Sequence, residues 1–227
     1  MDFGRPVGLA HPPFMIAAPD CRELVTIDRA IAMIDAAADS HVDAIKFTRM
    51  PWEWSARLFE RAERRSVAIL VTARDEPSVE RLDWLGAPAF YLTFDWSDLE
   101  LVACAARTGK PLVIQVGTAS QQELAEVIAT ARAHGDGGIA LIRSVLDAGL
   151  EGLDELHCHG AVLGVVDRSA CSAIPRAAIS RGASIVEKRF SSRPDGTSFV
   201  LAQVAEVVRD CERAWAAMSE TRQWTTN

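Results

Sequence analysis

Short β-type runs alternate with amphipathic helical stretches from one end of this chain to the other, and that alternation limits its fold more than any other feature. Consecutive strands pair in parallel only when the chain crosses back over the sheet, so repeated β/α units predict a parallel sheet covered by helices. The runs predict strands at Phe14–Ala18, Asp43–Phe47, Val67–Val71, Ala89–Thr93, Pro111–Val116, Gly138–Arg143, Val162–Val166 and Ser184–Arg189. Helical periodicity predicts Thr26–Ala38, with Ile27, Ala30, Ile31 and Ile34 on one face, and further helices at Glu123–Ala133 and Phe199–Met218. Eight strands and eight helices in 227 residues predict a compact, single-domain α/β protein, a (β/α)8 TIM barrel with few insertions. An open doubly wound sheet is the competing architecture, but the Gly-rich phosphate fingerprint is missing after the first strand. The expected division is an N-terminal extension at 1–13, the barrel at 14–218 and a tail at 219–227, with no second domain.

Composition narrows the partners. The chain is 49% hydrophobic and 24% charged, ordinary for a globular domain with a sizeable core. Its net charge is -7 and no Lys/Arg-rich stripe stands out, which argues against nucleic acid. No apolar run is long enough to span a membrane, and Met1 to Pro13 carries no secretory pattern, so the expected address is cytoplasmic. The five cysteines, Cys21, Cys104, Cys158, Cys171 and Cys211, are scattered without a CxxC pair, and reduced thiols are expected. His157-Cys158-His159 precedes the seventh strand, at the mouth of a barrel remote from chemistry. A surface turn explains it better than a metal site.

Four stretches in register resemble the sialic acid synthase family. They are Ile34-Asp35-Ala36-Ala37 with Asp43-Ala44-Ile45-Lys46-Phe47, then Asp75-Glu76-Pro77-Ser78-Val79 through Leu85-Gly86-Ala87-Pro88-Ala89-Phe90. Thr108-Gly109-Lys110-Pro111 and Gly164-Val165-Val166-Asp167-Arg168-Ser169 follow, the latter continued by Pro175 and Gly182-Ala183. The resemblance implies an aldol-like condensation, in which an enol phosphate attacks a sugar aldehyde polarised by a divalent metal. It also implies that Lys46 and Lys110 bind the anionic groups of phosphoenolpyruvate.

The departures shape the expectation. The last strand reads Ile185-Val186-Glu187-Lys188-Arg189-Phe190, where the family pattern carries a metal-binding histidine at the position of Arg189. The family's other metal histidine falls on Arg168, and its strand-six His or Gln on Arg143. A guanidinium offers no lone pair, so neither arginine replaces an imidazole ligand. Ala18 stands for the glutamate of strand one, and Gln115 and Val116 for a serine and a threonine. The loops after strands two and six are short, and the Gly-Pro-Asp-His stretch after strand eight and the C-terminal domain of many members are missing.

The C-terminal strand ends of such a barrel converge on one mouth, which predicts a shared pocket for Lys46, Thr72, Gln115, Arg143, Asp167, Arg168, Glu187 and Arg189. Lys46, Asp167, Glu187 and Arg189 are the candidate catalytic residues. Lys110, Arg143, Arg168, Gln115 and Thr72 are the candidate substrate-binding residues. Arginine forks suit phosphate or carboxylate, so the expected partner is a small anionic metabolite, with no metal or other cofactor. Self-association as a homodimer is compatible with this reading. The competing role for the arginines is internal pairing with Asp167 and Glu187, which fills an emptied site. Trp52 and Trp54 stand beside Lys46 and Arg49, either as a pocket wall or as packing.

Two functions follow. One is a metal-independent enzyme forming or cleaving a carbon–carbon bond through an enolate-like anion held by cations. The other is a catalytically inactive relative that binds a metabolite or a protein.

Overall fold

The computed structural model describes residues 1–94, 99–191 and 199–225. The strands are β1 (Phe14–Pro19), β2 (Ala44–Phe47), β3 (Ala68–Val71), β4 (Phe90–Thr93), β5 (Leu112–Gln115), β6 (Ile139–Ser144), β7 (Val162–Asp167) and β8 (Ile185–Ser191). Between them run α1 (Ile27–Asp39), α2 (Ser55–Arg64), α3 (Glu76–Trp84), α4 (Leu99–Ala106), α5 (Gln121–His134), α6 (Val145–Ala148) and α7 (Ala173–Ser180). A short β9 (Phe199–Val200), which the sequence pattern does not signal, pairs with β8 and leads into α8 (Leu201–Thr225).

All the pairings are parallel, in the spatial order β3-β2-β1-β8-β7-β6-β5-β4. The two ends of that path meet at β3 and β4 through a single bridge, Thr72 to Tyr91, and the Ala73 N–H to Tyr91 O bond of 2.9 Å. The sheet is therefore a nearly closed (β/α)8 barrel. The sixth unit departs from the expected helix: α6 is one turn, followed by 3-10 turns over Glu151–His159. Gly149 and Gly160, at φ 60° and 63°, adopt the left-handed region that ends each piece.

Period-two alternation sorts the strand side chains into two cores. Phe14, Ile16, Leu70, Tyr91, Val113, Ile142, Val166 and Ile185 fill the barrel. Their neighbours in sequence, such as Met15, Ile45, Val165 and Val186, pack against the helices. The N-terminal segment closes the lower end. Phe3 and Val7 are buried there, with Phe3 edge-on to Phe14 at 5.1 Å. Arg5 holds that plug by pairing with Asp43 and donating to Pro13 O at 2.7 Å. With the lower end sealed, the open end lies where the strands finish.

Helix starts carry their own stop signals. Asp75 and Ser78 form a capping box on α3, and Ser120 and Glu123 another on α5. Each N-cap contributes about 0.5–2 kcal/mol and fixes where the preceding loop ends. No helix among the described residues is long and apolar enough to cross a membrane.

Candidate active site

At the open end, Lys46 from β2, Tyr91 from β4, Gln115 from β5 and Glu187 from β8 meet on the barrel axis. Lys46 Nζ lies 3.2 Å from Glu187 Oε1 and 4.0 Å from the centre of the Tyr91 ring. Tyr91 Oη lies 2.7 Å from Glu187 Oε2 and 3.0 Å from Gln115 Oε1. A phenol has one proton, so it donates to the charged carboxylate. Gln115 completes the network only by turning its amide so that the NH2 donates to the phenolic oxygen. Lys46 and Glu187 are buried, and burial together with the Glu187 charge pushes the Tyr91 phenol well above its ordinary pKa of 10.0. Tyr91 is thus a permanent donor at neutral pH. It is the only tyrosine in the chain and was not among the expected site residues. Its signal was its place two residues after Ala89, on the same face.

Above this network stand two arginines in different states. Arg168 is exposed, with no ion pair among the described residues, and its charge acts on Tyr91 in the direction of the phenolate. Arg189 is tied down: its Nη2 donates to Asp20 Oδ2 at 2.6 Å. Asp20 is itself buried and also takes Arg22 at 2.6 Å. Hydrogen bonds from Arg22 above all, then from Arg189, hold the Asp20 carboxyl far below its usual value despite burial. Internal pairing of Arg189 therefore occurs, but with Asp20 rather than with Asp167 or Glu187. Asp20 directly follows β1, where Ala18 stands at the position the resemblance gives to a glutamate.

Three expected site residues lie elsewhere. Arg143 sits between Ile142, which faces into the barrel, and Ser144, so its side chain exits toward the helices. There it donates to Gly152 O at 3.3 Å, Ala119 O at 3.2 Å and Glu155 Oε2 at 2.6 Å. Gly152 makes room for it, since a Cβ there would come within 3.0 Å of Arg143 Cδ. Asp167 likewise points outward, bonding buried Lys188 and accepting the Ser169 N–H at 2.8 Å. Adjacent strand residues face opposite sides, so Asp167 and Arg168 cannot both line the mouth. Lys110 precedes β5 and lies at the closed end, 2.7 Å from Asp83. Of the expected residues, Lys46, Gln115 and Glu187 meet in one network with Tyr91, Arg168 acts on Tyr91 through its charge, Arg189 pairs with Asp20, and Thr72 directly follows the neighbouring β3.

Thr72, one layer above Lys46, has a buried hydroxyl with no hydrogen-bond partner among the described residues. Trp52 is half-buried in the adjacent cleft, with the Arg81 guanidinium 5.2 Å from its ring. Trp54 packs against the outer core. His157 bonds Arg181 O and His159 bonds Gln121, so the two imidazoles are committed to separate surface contacts.

The divalent metal implied by the resemblance does not fit these residues. Its imidazole positions are guanidinium groups, one of them ion-paired, and no group of three His, Cys, Asp or Glu among the described residues could hold an ion.

Eight parallel strands in a nearly closed barrel, alternating with helices, define the class: a TIM barrel. The sequence gives the lineage, because residues 26–223 match the NeuB family model, and the chain belongs to that family. It is 32% identical over 149 residues to pseudaminic acid synthase of Helicobacter pylori, covering 62% of this chain and 44% of that one. It is 26% identical over 230 residues to the spore coat polysaccharide biosynthesis protein SpsE of Bacillus subtilis, covering 82% and 62%. The chain thus spans between two-fifths and two-thirds of the length of these relatives. Among solved structures, Bacillus subtilis SpsE superposes with a TM-score of 0.88 at 24% identity, over 97% of this chain and 73% of that one. The N-acetylneuraminic acid synthetase of Leptospira borgpetersenii, solved with citrate, gives 0.88 at 22% identity, over 96% and 89%. At these identities the superpositions show the shared barrel.

Proposed function

We propose that this chain is a sugar-acid-synthase-type enzyme that forms or cleaves a carbon–carbon bond without a metal, using protein cations to hold an anionic substrate. The observation that carries the reading is the buried Lys46–Glu187–Tyr91 network beneath Arg168, which makes no ion pair among the described residues. Lys46 and Arg168 supply positive charge where an enolate, phosphate or carboxylate would sit. Beside the low-dielectric barrel interior such charge stabilises a developing anion more than it would in bulk solvent. Glu187 orients Lys46 and accepts the hydrogen bond of the Tyr91 phenol, so the carboxylate is held between an ammonium and a neutral phenol. Arg189, Gln115 and Thr72 complete the rim, with Arg189 held in place by Asp20. Arg143, Asp167 and Lys110 take scaffold roles.

Support for the reaction class comes from the NeuB family and from relatives described as a pseudaminic acid synthase and a spore coat polysaccharide biosynthesis protein. The test is release of inorganic phosphate from phosphoenolpyruvate with a panel of amino-sugar aldehydes, in excess chelator, for the wild type and Lys46→Met. Turnover in chelator that Lys46→Met abolishes supports the reading. Turnover that appears only when a divalent ion is restored overturns metal independence.

A second reading, an inactive relative that binds a metabolite or a protein, draws on the Asp20–Arg189 pair, which fills part of the mouth with an internal contact. It predicts ligand binding in the mouth with no turnover of any aldehyde.

A further inference from the structure

Of the 24 lysine and arginine residues in this chain, only Lys46, Lys110 and Lys188 are lysines. Arginine carries the remaining positive charge, and a guanidinium does not serve as an amine nucleophile. Two of the three amines are committed elsewhere. Lys110 pairs with Asp83 at 2.7 Å at the closed end of the barrel. Lys188 donates to Asp167, Ser169 O and Cys171 O beneath the helices. Lys46 differs from both. Its Nζ has one hydrogen-bond acceptor among the described residues, Glu187 Oε1 at 3.2 Å, and it also lies 4.0 Å from the centre of the Tyr91 ring. Glu187 is equally buried, and its other oxygen takes the Tyr91 phenol at 2.7 Å, which leaves Oε1 facing the amine. The network reaches the surface at Gln115, which is part-exposed and 3.0 Å from Tyr91 Oη.

We infer that Lys46 is an imine-forming lysine, and that the substrate it takes is a 2-keto acid. This deepens the proposed function and rests on the mouth being a substrate site, to which it adds a covalent step and a donor class. The step balances within the Lys46–Glu187 pair. The ammonium passes a proton across 3.2 Å to Glu187, a separation within reach of direct transfer. Burial penalises an ion pair more than the neutral amine and acid that it becomes. The amine then adds to the keto carbon, a C–N bond forms, and the nitrogen's proton moves to the former keto oxygen. Glu187 gives its proton to that hydroxyl, which leaves as water. The product is an iminium cation beside a carboxylate, the same two charges that the pair began with. Glu187 next takes a proton from the carbon beside the iminium, and the enamine so formed attacks an aldehyde carbon. The new alkoxide recovers that proton from Glu187. Water then hydrolyses the iminium, releasing a 4-hydroxy-2-keto acid and restoring the ammonium. No oxidant, reductant or phosphate enters. Arg168, exposed and without an ion pair among the described residues, offers a fork for the keto acid's carboxylate.

The experiment is incubation with pyruvate followed by sodium borohydride, which reduces an iminium to a stable amine, with the adduct located by peptide mass spectrometry. It compares the wild type, Lys46→Arg, Lys46→Met and Glu187→Gln, each checked for a cooperative unfolding transition. The wild type should carry one reduced adduct per chain, on Lys46. Neither Lys46 variant should be labelled there, and Glu187→Gln should be trapped at least tenfold more slowly. An adduct confined to Lys110, Lys188 or the N-terminal amine overturns the inference. So does an adduct on Lys46 that forms no faster than in the urea-denatured wild type. Trapping of Glu187→Gln at the wild-type rate refutes the proton relay and the mechanism built on it. If no adduct forms, yet phosphoenolpyruvate binding measured by calorimetry is lost in Lys46→Met and kept in Lys46→Arg, the imine is refuted and the proposed function stands. No adduct and no binding by the wild type refute both.

Discussion

Glu187 and Lys188 are neighbours on β8, yet they belong to two different ion pairs on opposite sides of the barrel wall. Glu187 faces in and meets Lys46 at 3.2 Å at the C-terminal end of the barrel, where both are buried, with Tyr91 and Gln115 around it. Lys188 faces out and meets Asp167 beneath the helices, where both side chains are 1% exposed. Lys188 also donates to Ser169 O at 2.7 Å and Cys171 O at 3.2 Å, pinning the loop after β7. Burial pulls the Lys188 ammonium below its ordinary pKa, against the opposing pull of Asp167. The same chemistry thus serves two ends. The outer pair organises backbone, whereas the inner pair is accompanied by Arg168, which is exposed and makes no ion pair among the described residues.

The comparison breaks most visibly at the outer pair. Asp167→Ala leaves a buried ammonium without its counter-charge and is expected to cost about 3–5 kcal/mol of stability by urea denaturation. Affinity for anions per folded molecule should stay unchanged. A loss of affinity without a loss of stability would place Asp167 in the site after all.

Arg143→Ala should come next, on the order of 2–4 kcal/mol, because it strands the buried carbonyl of Gly152 and the part-buried one of Ala119. It too should leave phosphate binding intact, which titration of the folded variant checks.

How much of this was legible in the sequence differs by level. All eight barrel strands were readable, each end within two residues, because apolar runs and the punctuation around them fix where a strand starts. The facing of side chains at the strand ends was readable too, by counting in twos from Ile142 or Val166. That count separates Arg143 and Asp167 from the mouth. Lys110 misled because a family motif marks a position in sequence, and this one precedes its strand instead of ending it. Asp20 and Tyr91 were invisible as partners, since their roles depend on which strands lie opposite, and only closure of the barrel brings β4 to β8.

Arg189→Ala sharpens the inner side. The Arg189 side chain is 34% exposed and Asp20 keeps Arg22, so the stability change should stay below about 1 kcal/mol at neutral pH. The pH dependence carries the signature. A carboxyl whose folded pKa is depressed stabilises the protein at pH above its unfolded value, near 4, and that contribution fades as pH falls below it. Removing Arg189 weakens the depression, so the stability gap between variant and wild type at neutral pH should narrow as pH falls below about 4. Identical acid-denaturation curves for variant and wild type would contradict this.

Lys110→Ala should have the smallest effect. Its pair with Asp83 lies at the closed end and is part-exposed, so both affinity and stability should change by less than about 1 kcal/mol. A tenfold loss of anion affinity would show that the two ends of the barrel communicate.

The central claim is that lysine and arginine, with no divalent ion, hold an anion in the mouth. Calorimetric titration of phosphoenolpyruvate in excess chelator, on the wild type and Lys46→Met, tests it most directly. A charge-assisted contact to Lys46 contributes about 1.5–3 kcal/mol, so binding to the wild type should weaken at least tenfold in the variant. If the wild type binds nothing in chelator and gains affinity only when manganese or zinc is returned, the account is wrong.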